Sequence, residues 1–436
     1  MTGVTGVTYR DVVRRHLPAP VVLALAGCLV AGGVAVSLDR SVDRPDEGVA
    51  AAAVSDRKVD LERYDAAGQW RTGKVRGTRV TADGELAFDR GFRTTRLAGR
   101  TYDTARWTSP WVAPGFSYTE LVASWSARTP GSSWIELRVR GRSAAGKVTS
   151  WDSLARWAAK DGVLRRASGG AQTDDGTTLA TDTWRTAGLA SYQLRVEVHR
   201  QRGKRAVPRL DLATVMTSAL PRTAGPTSQP GVARGVELAV PRYSQMIHTG
   251  HFPQWGGGGE AWCSPTSTSM VLGYYRRLPS AASYAWVPRG HADPWVDAAA
   301  RATYDYAYRG TGNWPFTTAY AARQAGKAFV TRLRDLREAE VLVKAGIPPV
   351  LSIAFQRGQL SGAPISSSKG HLLVVVGFTS KGDVIVNDPA APTNATVRRV
   401  YQRAQLEKAW LEASGGTAYV IHDAAHPLPK APAGNW

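Results

Sequence analysis

Trp262-Cys263-Ser264-Pro265-Thr266-Ser267-Thr268-Ser269-Met270-Val271-Leu272, continued by Gly273-Tyr274-Tyr275, decides how this 436-residue chain is read. Proline two residues after the cysteine fits the first turn of a helix, where its missing N–H costs nothing. A cysteine at that turn has unpaired backbone N–H groups and the positive helix end aimed at its sulfur, which favours the thiolate. The chain has two cysteines, and the other, Cys28, lies in an N-terminal apolar stretch. If that stretch is removed, Cys263 is a lone thiol in an exported protein. A lone cysteine is often a small buried core residue. Here its place at a helix mouth argues for a nucleophile.

A thiolate nucleophile needs a base, and the base needs an orienting group. Of the histidines beyond the N-terminal segment, only His371 sits at a glycine-to-strand junction, Gly370-His371-Leu372-Leu373-Val374-Val375-Val376-Gly377-Phe378. The apolar run reads as a buried central strand with His371 at its rim. Lys381-Gly382 supplies a turn, and Asp383-Val384-Ile385-Val386-Asn387 returns beside the first strand. Asp388 then ends near His371, where a carboxylate fixes the imidazole tautomer. Asn387 is the other candidate orienter. Gln245, in Pro241-Arg242-Tyr243-Ser244-Gln245, together with the Cys263 N–H, is the candidate oxyanion donor, and Gln254 is the alternative. Trp262, Asn313 and Trp314 are candidate substrate contacts, the last two in the loop Gly310-Thr311-Gly312-Asn313-Trp314-Pro315-Phe316. Thiol chemistry requires no metal and no cofactor. His248 and His251 lie in a Gly/Pro-rich loop without an accompanying acid motif and are discounted as ligands.

Before this region the pattern differs. Residues 55–221 carry short period-two runs, among them Leu121, Ala123 and Trp125 on one face against Glu120, Val122, Ser124 and Ser126 on the other. Trp134 to Arg140 and Tyr192 to Val198 alternate likewise, and a β-sandwich is expected. Eight of the 15 tryptophans fall here, at 70, 107, 111, 125, 134, 151, 157 and 184. Core filling is favoured over a carbohydrate platform, because tryptophan is mostly buried. Residues 222–236 read as a linker and 237–425 as a separate α+β body. Its helices are expected from Asp293-Pro294 towards Gly310, after the Asp335 cap up to Gly346, and over Arg403–Ala413. Its strands are expected at Val350–Phe355, His371–Phe378, Asp383–Asn387 and Ala418–Ile421. Residues 426–436 are a tail.

Residues 10–38 have the layout of a targeting segment within an N-terminal stretch, 1–54, that serves as signal peptide or membrane anchor. Arg10, Arg14 and Arg15 precede the apolar run Leu17 to Leu38, and Leu25-Ala26-Gly27-Cys28 has the look of a lipidation box. A secreted or envelope-associated protein is expected, touching the membrane only through this segment. The formal net charge is +20, but the basic residues are spread along the chain without a zinc spacing or phosphate loop. Nucleic acid is therefore not expected, whereas anionic envelope polymers suit the charge.

Taken together, Ser244-Gln245, Cys263-Ser264-Pro265-Thr266-Ser267 with Met270, Gly370-His371 and Asn387-Asp388-Pro389 resemble cysteine peptidase family thirty-nine. That is the papain-like family of bacteriocin-processing, double-glycine peptidases and their stand-alone secreted relatives. The resemblance covers about 237 to 423. It implies a papain-like fold behind the β-sandwich, with Cys263 as nucleophile, His371 as base, Asp388 as orienter and Gln245 as oxyanion donor, acting on a peptide or protein. Ser264 departs from the glycine usual after the cysteine. No transporter or ATP-binding motif accompanies the domain, so the double-glycine substrate does not carry over. The expected activity is peptide hydrolysis through a thioester. The alternatives are a catalytically silent scaffold that binds the envelope, or a transamidase using the same thioester.

Overall fold

Alternating sequence in the N-terminal half builds two antiparallel sheets of seven strands each. The structure, a computed structural model, describes residues 57–431 and 433–436, so the expected export segment and Cys28 lie outside the described residues. The first sheet is centred on Tyr118–Arg128 and Arg209–Ala219, the second on Ser133–Arg142 and Ser191–Gln201. Leu121, Ala123 and Trp125 from the first face Leu137, Val139 and Val196 from the second in one core. Six of the eight tryptophans, Trp70, Trp107, Trp125, Trp134, Trp157 and Trp184, are buried. Trp111 and Trp151 stay half-buried, with Arg140 set over both rings and Arg142 and Arg195 over one each.

The C-terminal half mixes helices with a six-stranded sheet. Its helices are α1 (Cys263–Tyr274), α2 (Pro294–Thr303), α3 (Trp314–Ala325), α4 (Leu336–Lys344) and α5 (Arg403–Ser414). Its strands are β1 (Lys327–Arg332), β2 (Val350–Phe355), β3 (Ser368–Phe378), β4 (Val384–Asn387), β5 (Arg398–Tyr401) and β6 (Thr417–His422), in the order β1-β6-β2-β3-β4-β5, antiparallel throughout. Local chemistry explains several boundaries. Asp335 caps α4 by accepting from the Arg337 and Glu338 N–H groups. The β3–β4 hairpin turns at Gly382, whose φ of 93° suits glycine and strains other residues. Pro294 opens α2, but the helix stops at Thr303, short of the expected run towards Gly310. Helix α3 and strand β1 were not anticipated: the Gly310–Phe316 segment read as a loop, yet Asn313 caps a helix there.

The polar face of the Tyr118–Arg128 strand meets protein instead of water. Ser124 Oγ accepts from the Val330 N–H of β1 at 3.0 Å, and Glu120 pairs with Arg332 at 2.5 Å. Val122 joins the core that contains Met270, Val330 and Val374. Phe316 of α3 inserts among the N-terminal core residues, its ring centroid 5.9 Å from that of Trp125. Arg166 is buried and donates to the carbonyls of Ala158 and Ala159 on its own side and of Arg301 and Tyr304 on the other. Both halves fall within a single compact unit. Among the described residues no helix is long and apolar enough to cross a membrane.

Candidate active site

Cys263 is the first residue of α1 and is partly exposed, while Ser264 through Leu272 are all buried. The three serines of this buried helix find partners inside the protein, whereas Thr266 and Thr268 Oγ1 have none among the described residues. Ser264 Oγ lies 3.0 Å from both Thr317 Oγ1 and Tyr419 Oη, and Ser267 Oγ donates to Leu372 O at 3.0 Å. The second bond ties α1 to the residue after His371. The first shows why serine is accommodated next to the cysteine: its hydroxyl fills a polar niche between α3 and β6. Pro265 falls in the first turn, where no intrahelical acceptor exists for its missing N–H. The Cys263 N–H is another of these first-turn donors without an acceptor inside the helix.

His371 sits on β3 and is 3% exposed. Strand β4 runs antiparallel to it, with Val374 opposite Asn387, so the residue after β4 is carried towards the imidazole. Its Nε2 lies 2.7 Å from Asp388 Oδ1. The other oxygen, Oδ2, accepts from the Tyr401 hydroxyl at 2.6 Å, and Oδ1 also accepts from the Ala390 N–H at 3.0 Å. Burial alone would push the imidazole pKa down, but the Asp388 charge and hydrogen bond, with the nearby Cys263 sulfur, raise it to about 10. Asp388 is held below the usual carboxylate range: burial opposes this, but the His371 charge and the hydrogen bonds it accepts outweigh burial. With Nε2 committed to Asp388, Nδ1 is the nitrogen left to exchange a proton with the thiol.

Gln245 is buried, and its amide Nε2 donates one hydrogen to Glu260 O at 2.6 Å, leaving the second available. Its own N–H donates to Pro389 O at 2.8 Å, joining this loop to the segment just after Asp388. Gly259 lies so close to the Gln245 and His248 carbonyls that a Cβ would come within 2.3–2.6 Å of them, so glycine is required at this point of the approach to Cys263. Gln254, the alternative donor, is exposed.

Other sequence candidates are committed elsewhere. Asn387 donates to Pro241 O at 2.9 Å and accepts from Arg398 Nε at 2.8 Å, tying strands together rather than orienting His371. Trp262 is fully buried with its indole N–H given to Trp255 O at 2.7 Å, so it forms part of a core and has no face for substrate. Asn313 is buried too, accepting from the Phe316 N–H and donating to Asp305 at 2.9 Å. Trp314 remains half-buried. Tyr401 went unread in the sequence, although it closes β5, the strand beside β4, and this neighbourhood is the signal that points to it.

Two groups among the described residues place three His, Asp or Glu ligand atoms within 4.8 Å of one another: His248/His251/Asp297 and Glu136/Glu197/His199. The second is already engaged, by Ser153 on Glu136, Arg93 on Glu197 and Thr104 on His199. In the first, the acid that the sequence did not place beside the histidine pair comes from a helix 46 residues beyond His251.

Residues 60–218 match the Peptidase C39 N-terminal domain, and residues 237–418 match the Peptidase C39-like family. No curated protein matches the chain. Solved structures with some likeness include a family two carbohydrate esterase from Cellvibrio japonicus (13% identity, TM-score 0.18, covering 40% of this chain and 37% of the esterase). The laminarinase from Rhodothermus marinus is another (12% identity, TM-score 0.18, covering 37% of this chain and 91% of that one). A study of carbohydrate-binding modules from the β-sandwich superfamily supplies a third (12% identity, TM-score 0.16, covering 35% and 55%). The chain thus spans well under two thirds of the esterase and of the module, and at these TM-scores none of the likenesses carries an argument. The two family matches, lying in series, do: this chain is a C39-like protein with the C39 N-terminal domain set ahead of a cysteine-peptidase-like scaffold.

Proposed function

We propose that this chain is an exported, papain-like cysteine peptidase that hydrolyses amide bonds through Cys263, His371 and Asp388, with Gln245 in the oxyanion hole. The observation that carries the reading is the buried His371–Asp388 pair at 2.7 Å, set beside a thiol at a helix start. A helix headed by cysteine packs on a sheet whose adjacent strands deliver the base and its orienter, the layout the papain-like reading requires. The Cys263 thiolate attacks the substrate carbonyl carbon, forming a C–S bond and an oxyanion. The Cys263 N–H and the free hydrogen of the Gln245 amide stabilise that charge. Protonated His371 gives its Nδ1 proton to the leaving nitrogen, the C–N bond breaks, and a thioester remains. His371 then takes a proton from water, which attacks the thioester; the C–S bond breaks, the acid is released and the thiolate–imidazolium pair is restored. Asp388 holds the ring in place throughout, as imidazolium and as neutral imidazole. Action outside the cytoplasm rests on the residue 10–38 segment, and attraction to anionic envelope polymers on the net charge of +20.

The test is incubation of the mature protein with a peptide library, read by mass spectrometry for products and for a Cys263-linked acyl adduct. Cleavage and adduct in wild type, both absent in Cys263→Ala, are expected. An added amine that appears in the product would identify transamidation. A protein that forms neither product nor adduct would contradict the proposal.

A further inference from the structure

His248 ends a short 3-10 turn (Met246–His248), and His251 follows it in the same loop, its N–H bonded to His248 O at 2.9 Å. Asp297 reaches them from α2 and is completely buried. Its Oδ2 lies 3.1 Å from His248 Nδ1 and its Oδ1 3.0 Å from His251 Nδ1. A third imidazole, His291, stacks on His251 with centroids 3.6 Å apart and brings its Nδ1 to 3.7 Å from the same Oδ1. Three ring nitrogens therefore converge on one buried carboxylate.

Hydrogen bonding alone accounts for this cluster poorly. Among the described residues the buried His291 Nδ1, on the ring stacked against His251, has no partner, and buried unpaired nitrogens are costly. Two imidazole nitrogens and a carboxylate, with a coordination position left for water, are a donor set that suits Zn²⁺ and similar divalent transition metals. In tetrahedral zinc sites, with bonds of roughly 2.0–2.1 Å, adjacent donors sit about 3.3 Å apart. The His248 and His251 Nδ1 atoms, 3.1 and 3.0 Å from the two Asp297 oxygens, lie near that spacing, and the three residues keep their ligand atoms within 4.8 Å of one another. Phe252 packs beside both His251 and His291, an apolar cover of the kind that limits solvent access to metal sites.

We propose that His248 and His251, through Nδ1, and the Asp297 carboxylate bind one divalent transition-metal ion of the Zn²⁺ type, with His291 stacked beside them. The ion bridges the loop between Gln245 and Cys263 to α2, which packs on α1. It thereby fixes the segment that carries Gln245, since His248 donates its backbone N–H to Gln245 O at 3.1 Å. The role is structural and does not depend on peptidase activity.

The experiment uses the full chain carrying Cys263→Ala, which removes the active-site thiol as a competing ligand and makes the outcome independent of catalysis. After chelator treatment and dialysis, Zn²⁺ is titrated by calorimetry, Co²⁺ by visible absorption, and melting temperature is followed with and without each metal. Saturable uptake of one ion per chain, tetrahedral Co²⁺ bands and a metal-dependent rise in melting temperature are expected. All three are expected to disappear in His251→Ala and to weaken in His291→Ala, whose side chains are 18% and 25% exposed. Asp297→Asn adds a test from the buried side. Absence of saturable uptake in the Cys263→Ala protein, or uptake unchanged in His251→Ala and His291→Ala, would overturn the proposal and leave a hydrogen-bonded cluster only.

Discussion

Asp388 shares its two carboxylate oxygens between His371 and Tyr401, Oδ1 lying 2.7 Å from the imidazole and Oδ2 2.6 Å from the phenol. Because the carboxylate is buried, its charge is spent on the imidazole rather than on water. Asp388→Asn removes the charge but leaves an oxygen for the ring. In a pH–rate profile the alkaline limb, which reports loss of the imidazolium proton, is expected to move to lower pH in this variant. Activity at neutral pH is expected to fall by about 10²-fold. An unmoved alkaline limb would detach Asp388 from the reacting imidazole.

The same pair makes stability depend on pH in a direction that can be worked out. His371 has a folded pKa above its unfolded value of about 6.5, so its contribution is complete below that pH and is lost as pH rises through its raised value. Asp388 is depressed, so its contribution is complete above roughly pH 4 and is lost as pH falls through its lowered value. Between about pH 4 and 6.5 both contribute fully. Asp388→Ala is expected to cost roughly 3–5 kcal/mol in that window. Urea unfolding of wild type and variant at pH 5.5, 8 and 10 checks this, with the gap narrowing towards pH 10.

Gln245 is held by the Glu260 carbonyl with one amide hydrogen to spare. Gln245→Ala is expected to lower kcat by roughly 10²–10³-fold with little change in KM, as removal of an oxyanion donor does. A change confined to KM would place Gln245 in binding instead.

Arg166 clasps the two halves through four backbone carbonyls. Arg166→Met leaves those carbonyls without their donor, a loss expected to exceed about 3 kcal/mol. Wild type is expected to unfold in one calorimetric transition. Two well-separated transitions would show that the halves are thermodynamically independent.

What could be read from sequence was what local geometry determines. His371 and Asp388 are 17 residues apart on one hairpin, so strand pairing and the Gly382 turn suffice to bring them together. The His248–Asp297 contact spans 49 residues and two unconnected elements, and no spacing rule foreshadows it. Polarity alone did not tell what Ser124 and Glu120 meet, because a face hydrogen-bonded to another part of the protein has the same alternation as one facing water. Trp262 stands beside the nucleophile in sequence and Asn313 in a Gly-rich stretch, yet one completes a core and the other caps α3. Helix α3 itself was hidden by its Gly-rich approach and its Thr- and Ala-rich body, whose apolar face became visible only against Trp125.

The most direct test is the rate of Cys263 alkylation by iodoacetamide across pH, in wild type and in His371→Ala. If the thiol and imidazole form a working pair, wild type is alkylated on the acid side of the pH range and the histidine variant loses that acid-side reactivity. A thiol that is inert in wild type, or equally reactive without His371, would contradict the catalytic pair and with it the peptidase reading.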